Sequence, residues 1–118
     1  MVIVTDALRG DNMTLDDLKK IQVFQTRTIA EACKDAHTLQ YVVSCLQRFY
    51  KGDYGEICAE DAGYNNEELA DGYGHVLARY KPAGTLTDDI YIEAHFSVDV
   101  DISDVDYNNT MIMYCDER

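Results

Sequence analysis

At 118 residues the chain has room for one domain and not for a second independent core. Nearly half of it, 47%, is apolar or aromatic, which excludes wholesale disorder, and no window approaches the ~20 apolar residues of a membrane span. Its 22 acidic and 10 basic side chains give a net charge of −12, a field that repels nucleic acid and anionic lipid and favours basic partners.

The charge is unevenly spread. Residues 1–52 hold six acids (Asp6, Asp11, Asp16, Asp17, Glu31, Asp35) and seven bases, a net +1. Residues 53–118 hold sixteen acids against Arg79, Lys81 and Arg118, a net −13. The start, Met1-Val2-Ile3-Val4-Thr5-Asp6, lacks the basic, long apolar opening of a signal peptide, so a cytoplasmic location is expected.

In chain order, Val2-Ile3-Val4 is a short strand or the tail of the core. Thr14 is placed to cap a short helix through Lys20, with Asp16 and Asp17 in its first turn. Ile21-Gln22-Val23-Phe24 alternates and predicts a strand, after which Thr26 or Thr28 caps a helix over residues 29–33. The clearest helix covers about residues 37–50. Leu39, Val42, Val43, Leu46 and Phe49 recur at three- and four-residue spacing and predict one buried stripe, with Cys45 beside it. Gly52-Asp53 ends that helix, and Asp53-Tyr54-Gly55 is a turn. Residues 56–61 suggest a short helix, and Asn65 an N-cap for a second one over residues 66–70, closed by Gly72.

From Tyr73 the period becomes two. Residues 73–80 predict a strand, 81–89 its turn, and 90–96 a second strand with Ile90, Ile92, Ala94 and Phe96 on one face and Tyr91, Glu93 and His95 on the other. After the polar, turn-like residues 104–110, Met111-Ile112-Met113-Tyr114-Cys115 closes the sheet. The expected fold is α+β, with N-terminal helices packed on a three- or four-stranded antiparallel sheet in a single domain over residues 1–118.

Cys33, Cys45, Cys58 and Cys115 are scattered, with no C-x-x-C pair, and are expected as reduced, mostly buried thiols. The alternative is a zinc site assembled from distant cysteines with His37, His75 or His95. No cofactor and no metal is expected.

The run from Ser97 to Asp106 admits three readings. As a calcium loop it offers Asp99, Asp101 and Ser103 at the first, third and fifth positions, but Asp104 replaces the sharp-turn glycine and Thr110 the bidentate glutamate. As an extended strand it sets Asp99 and Asp101 on one solvated face. As a recognition edge it meets a basic partner.

No nucleophile–histidine pattern or P-loop is present, and carboxylates are too abundant for any pair to signal glycoside chemistry. The chain is therefore expected not to be an enzyme, with no catalytic residues. Seven of nine tyrosines fall in the acidic half. They serve as amphipathic core residues or as the contact area of a protein-binding face.

The segments Ile21-Gln22-Val23-Phe24-Gln25-Thr26-Arg27 and Phe49-Tyr50-Lys51-Gly52-Asp53-Tyr54-Gly55-Glu56, followed by Glu60-Asp61, Asn65 and Gly72, resemble a group of small proteins of phages, plasmids and other mobile elements. In that group a Gly-Asp-Trp/Tyr-Gly segment precedes an acid-rich stretch, an asparagine and a β-hairpin. The resemblance covers about residues 20–97, and the chain departs from it after Phe96, where the Asp-rich run replaces a shorter connection. It implies no catalytic role. In size and charge the chain also resembles anti-CRISPR and anti-restriction inhibitors, several of which are DNA mimics.

Thirteen excess charges equal those on ~22 Å of duplex at one per ~1.7 Å. A compact domain of this length has a radius of gyration of ~13.5 Å, so the charge density is of the right order. The expected function is thus inhibition of a nucleic-acid-handling complex of a bacterial host, a CRISPR effector foremost, by occupation of its basic groove. The candidate contacts are Glu56, Glu60, Asp61, Glu67, Glu68, Asp71, Glu93, Asp99, Asp101, Asp104 and Asp106, with Tyr91 and Tyr107 as anchors. The alternatives are a non-inhibitory accessory interaction protein of a mobile element, and a small metal-binding protein or enzyme.

Overall fold

The computed structural model describes residues 12–118; the strand expected at Val2-Ile3-Val4 lies outside them. Thr14 opens α1 (Leu15–Leu18) with a capping box: its hydroxyl accepts the Asp17 N–H at 3.1 Å, and its own N–H donates to the Asp17 carboxylate at 3.0 Å. Next comes β1 (Gln22–Gln25), followed by α2 (Arg27–Ala32), capped by Thr26. Asp35 caps α3 (Ala36–Tyr50) by accepting the Thr38 N–H at 3.0 Å. Then follow α4 (Ala59–Asp71), β2 (Tyr73–Tyr80), β3 (Ile90–Ser97), β4 (Asn109–Tyr114) and a closing 3₁₀ turn (Cys115–Glu117).

The α+β expectation holds, with four strands in the order β1-β4-β3-β2. Both β2–β3 and β3–β4 are antiparallel, but β1 runs parallel to β4, Val23 opposite Thr110. The sheet is therefore mixed, not purely antiparallel. Alternation along one strand identifies its two faces and carries no information about the direction of its neighbour.

Ile90, Ile92, Ala94 and Phe96 of β3 join Val76, Ala78 and Tyr80 of β2 on the buried face, against Leu18, Ile29, Val42, Cys45 and Phe49 from the helices. The buried line of α3 is Thr38, Val42, Cys45 and Phe49. Leu39 and Val43 are 47% and 44% exposed, so the expected stripe was rotated by about one position. The cause is Thr38. Its hydroxyl donates to Asp35 at 2.8 Å, pairs with the Thr85 hydroxyl at 2.9 Å and accepts the Thr85 N–H at 2.8 Å, which satisfies it without water. The connection between β2 and β3 thereby turns the helix onto its threonine and cysteine side.

At the outer edge of β2 the Arg79 N–H donates to the Tyr54 carbonyl at 3.1 Å and the Arg79 carbonyl accepts the Glu56 N–H at 2.7 Å. Gly55, with φ +70°, allows this approach; a Cβ there would sit 2.0 Å from the Arg79 oxygen. One step along, the edge is covered by Asn65. It is not an N-cap. Residues 59–71 form one continuous helix, and the buried Asn65 amide bonds the backbone of Leu77. No helix among the described residues is long and apolar enough to cross a membrane.

Candidate functional site

Because α4 is unbroken, its acids share a side. Glu60, Tyr64, Glu67 and Asp71 stand at i, i+4, i+7 and i+11, one line along the helix, bordered by Asp61 and Glu68. Asn65 and Leu69 form the opposite, buried side against β2. Tyr64 is 54% exposed in the middle of the acidic line, and its hydroxyl donates to Glu60 at 3.3 Å.

This line costs stability. Glu60 and Asp61 suit the positive end of the helix dipole, but Glu67, Glu68 and Asp71 crowd its negative end, and Glu67 and Asp71 are like charges at i, i+4. Gly63 sits mid-helix with nothing within 4 Å of where a Cβ would be, a loss of about 1 kcal/mol against alanine. Helix Gly72 closes α4 in the left-handed conformation, φ +82°.

The Gly72 carbonyl then accepts the Val98 N–H at 2.8 Å, which joins the end of α4 to the start of the Asp-rich run. Residues 98–108 are a series of turns, not the extended strand considered above. The Asp101 carboxylate accepts the N–H of Ser103 at 2.9 Å and its hydroxyl at 2.6 Å, and Asp104 accepts the Asp106 N–H at 3.1 Å. These two hydrogen bonds from Ser103 hold the Asp101 carboxyl below the usual carboxylate range. Asn108, fully buried, pins the loop by accepting the Ser97 N–H at 2.9 Å and donating to the Asp101 carbonyl at 3.0 Å.

The thirteen candidate contacts thus separate by role. Glu60, Asp61, Glu67, Glu68 and Asp71 lie together on α4, and Asp99 and Asp106 project from the loop with no hydrogen bond to their carboxylates among the described residues. Asp101 and Asp104 shape that loop. Tyr107 is exposed beside Asp106. Glu56 pairs with Lys81 at 3.6 Å in the turn before α4.

Glu93 and Tyr91 lie elsewhere, on the face of the sheet turned away from the helices. Glu93 is only 5% exposed and holds Arg118 by an Nη2–Oε2 bond of 2.9 Å, with Nε 3.3 Å from both oxygens. Burial pushes its carboxyl up, but hydrogen bonds from His95 and Arg118 outweigh that and hold it at about 2. The same contact raises the His95 imidazole. Tyr91 lies between two guanidinium groups, Arg79 at 5.9 Å and Arg118 at 5.8 Å.

A groove of about 400 Å³ runs between α4 and that face, lined by Tyr64, Asn65, Glu67, Glu68, Asp71 and His75. Its walls offer carboxylates, an aromatic ring and an imidazole, groups suited to a cationic side chain. The thiols offer little competing chemistry: burial pushes Cys33, Cys45 and Cys115 up, away from the thiolate form. Two cysteines are buried, Cys115 is intermediate and Cys58 is exposed.

Sequence reasoning missed Tyr64, Asn108 and Arg118. Tyr64 shows a signal only once α4 is continuous; Arg118 reaches Glu93 across 25 positions and shows none. Compared with protein-family models, curated proteins and solved structures, the chain matches none.

Proposed function

We propose that the protein is a non-enzymatic acidic inhibitor that binds the nucleic-acid groove of a basic host complex, a CRISPR effector or similar defence assembly, through α4 and the loop that follows it. The observation carrying this reading is the acidic line of α4. From Glu60 to Asp71 the helix axis advances ~16 Å at 1.5 Å per residue, and five carboxylates stand on that length. Their mean axial spacing is ~4 Å, with the charges gathered toward the two ends of the helix, the same order as the 3.4 Å of phosphates along one strand of B-DNA. Asp99 and Asp106 extend the negative surface beyond the helix end.

The cost of the arrangement supports the reading as well. Acids at the C-terminal end of a helix oppose folding, and such local conflicts concentrate where binding needs them. Tyr64 adds contact area and a ring on which an arginine can stack. The direct test is competition. Binding to a basic nucleic-acid-handling complex is measured with and without its nucleic acid bound, over a range of salt. Mutual exclusion and a steep loss of affinity with ionic strength are expected. Simultaneous binding with nucleic acid rules out mimicry and leaves an allosteric or dimerising inhibitor, or a non-inhibitory accessory contact.

A further inference from the structure

The two edges of the sheet are finished differently. At β2 the outward backbone groups of Leu77 and Arg79 are taken up by Asn65, Tyr54 and Glu56. The other edge is β1, and it lacks the usual guards. Gln22-Val23-Phe24-Gln25 holds no proline and no charge, and its four consecutive pairings with β4 leave no bulge. The Thr26 N–H donates to the Ile112 carbonyl at 3.1 Å. Bonding residues alternate along one side of a parallel ladder, so Gln22, Phe24 and Thr26 serve β4 while the N–H and C=O groups of Val23 and Gln25 point outward. Those groups have no hydrogen-bond partner among the described residues.

Two outward residues flanking one central residue make a self-complementary edge. In an antiparallel pairing about a two-fold axis through Phe24, Val23 of each copy faces Gln25 of the other. Both positions are hydrogen-bonded pairs, so four bonds form and none of these outward groups is left over. Phe24 then faces Phe24 of the second copy in the non-hydrogen-bonded position, where Cα atoms come to about 4.5 Å and side chains are closest. Its ring is 41% exposed on the face of the sheet turned away from the helices, beside Met111, and the pairing gives it an aromatic neighbour.

A net charge of −12 opposes self-association, but the acids of α4 lie on β2, three strand spacings from β1, or ~14 Å. The rim of β1 carries both signs. Lys20 and Arg27 flank the strand, and Thr26 and Thr28 hold the Glu117 carboxylate at 2.9 and 2.6 Å. The two-fold register carries Lys20 of one copy toward Thr28 and Glu117 of the other.

We propose that the open edge of β1 is a homodimer joint, in which two chains pair antiparallel with Phe24 on the two-fold axis. The two sheets become one, with an acidic helix at each far end.

The full chain is tested by sedimentation velocity. Four hydrogen bonds and one ring pair make a small interface, so a reversible dimer dissociating at about 10–500 µM is expected. Added sodium chloride should tighten it by screening the two like-charged chains, the reverse of a contact with a basic groove. Gln25→Pro removes an N–H that the fold does not use, so the chain still folds. It deletes two of the four bonds across the joint and should weaken the dimer by about tenfold or more. Val43→Lys, on the exposed side of α3, should leave it unchanged. The register is read in a Cys58→Ser background. Phe24→Cys should form an intermolecular disulfide under mild oxidation, whereas Gln22→Cys, on the same face but ~13 Å from its symmetry mate, should not. The joint is overturned by a chain still monomeric at ~500 µM in ~0.3 M salt, by a dimer that Gln25→Pro leaves intact, or by equal cross-linking of the two cysteine variants. In a monomeric chain, slow amide exchange at Val23 and Gln25 would assign the edge to the chain's own residues before Asn12, and fast exchange would leave it to a different protein.

Discussion

Asn65, in the middle of α4, holds both backbone groups of Leu77: its Nδ2 donates to the Leu77 oxygen at 2.9 Å and its Oδ1 accepts the Leu77 N–H at 3.0 Å. One side chain thus replaces a neighbouring strand at the edge of β2 and fixes how α4 lies on the sheet. Asn65→Ala leaves two interior backbone groups without partners, at about 1–3 kcal/mol each. Urea unfolding should show a loss of about 2–4 kcal/mol, less than the full sum because some water enters. A loss under about half a kcal/mol would mean that water already serves this edge.

That residue also explains what was legible in the sequence. The hairpin of β2 and β3, the caps at Thr14 and Thr26, and the long helix ending at Gly52 follow from period and capping chemistry, and they stand where expected. Asn65 did not. Asparagine is a strong N-cap, Gly63 is a poor helix residue, and acids follow, so local rules split residues 56–70 into two short helices. Split there, the acids have no common side; only the continuous α4 aligns Glu60 with Asp71. Glu93 was placed correctly on the face away from the core, but its partner Arg118 reaches it from the far end of the described chain, and such a return leaves no periodic trace. The same holds for the parallel pairing of β1 with β4.

The rotation of α3 gives a paired stability prediction. Val42 is 3% exposed among core residues, while Leu39 is nearly half exposed. Val42→Ala should cost about 1–3 kcal/mol through lost transfer energy and a cavity, whereas Leu39→Ala should stay within about half a kcal/mol despite removing more atoms. Chemical denaturation of both variants in parallel decides it. A Leu39 loss equal to or above that of Val42 would restore the stripe read from periodicity alone.

The Glu93 cluster predicts a two-sided dependence of stability on pH. The folded Glu93 carboxyl, at about 2 against an ordinary 4.5, contributes stability that is complete above ~4.5 and lost as pH falls toward 2. His95 is raised above its ordinary 6.5 by the same carboxylate, so its contribution is complete below ~6.5 and lost as pH rises through the folded value. Between those limits both terms are present. Melting temperature measured from pH 3 to 9 should therefore fall on the alkaline side in the unaltered protein and stay flatter there in Glu93→Gln. The acid side is less diagnostic, since Asp17, Asp35, Asp53 and Glu117 are also held low. An alkaline decline of the same size in Glu93→Gln would show that His95 is not linked to this carboxylate.

The acidic line of α4 makes the strongest joint prediction, because binding and stability should move in opposite directions. Glu60, Glu67 and Asp71 shape no turn and hold no basic side chain among the described residues. Changing all three to Lys exchanges the like-charge pair of Glu67 with Asp71 for another, so the gain comes from placing two cations at the helix end that favours them. That gain is worth about 0.3–1 kcal/mol per site at low salt, against a smaller penalty from Lys at position 60 in the first turn. The triple variant should therefore melt no lower than the unaltered protein, yet lose binding to a basic complex by two orders of magnitude or more, since like charges in the groove repel. Three reversals at Glu31, Asp88 and Asp116, exposed acids around the separate groove lined by Glu31, Thr87 and Tyr114, change the net charge equally. They should weaken binding far less, and mainly through the association rate at low salt. Equal losses from the two triple variants would reduce the effect to net charge alone. Unchanged binding in the α4 variant would remove that helix from the contact surface and leave the loop around Asp99 and Asp106 as the place to look. Because the α4 variant is expected to be at least as stable as the parent, a loss of binding in it cannot be ascribed to unfolding.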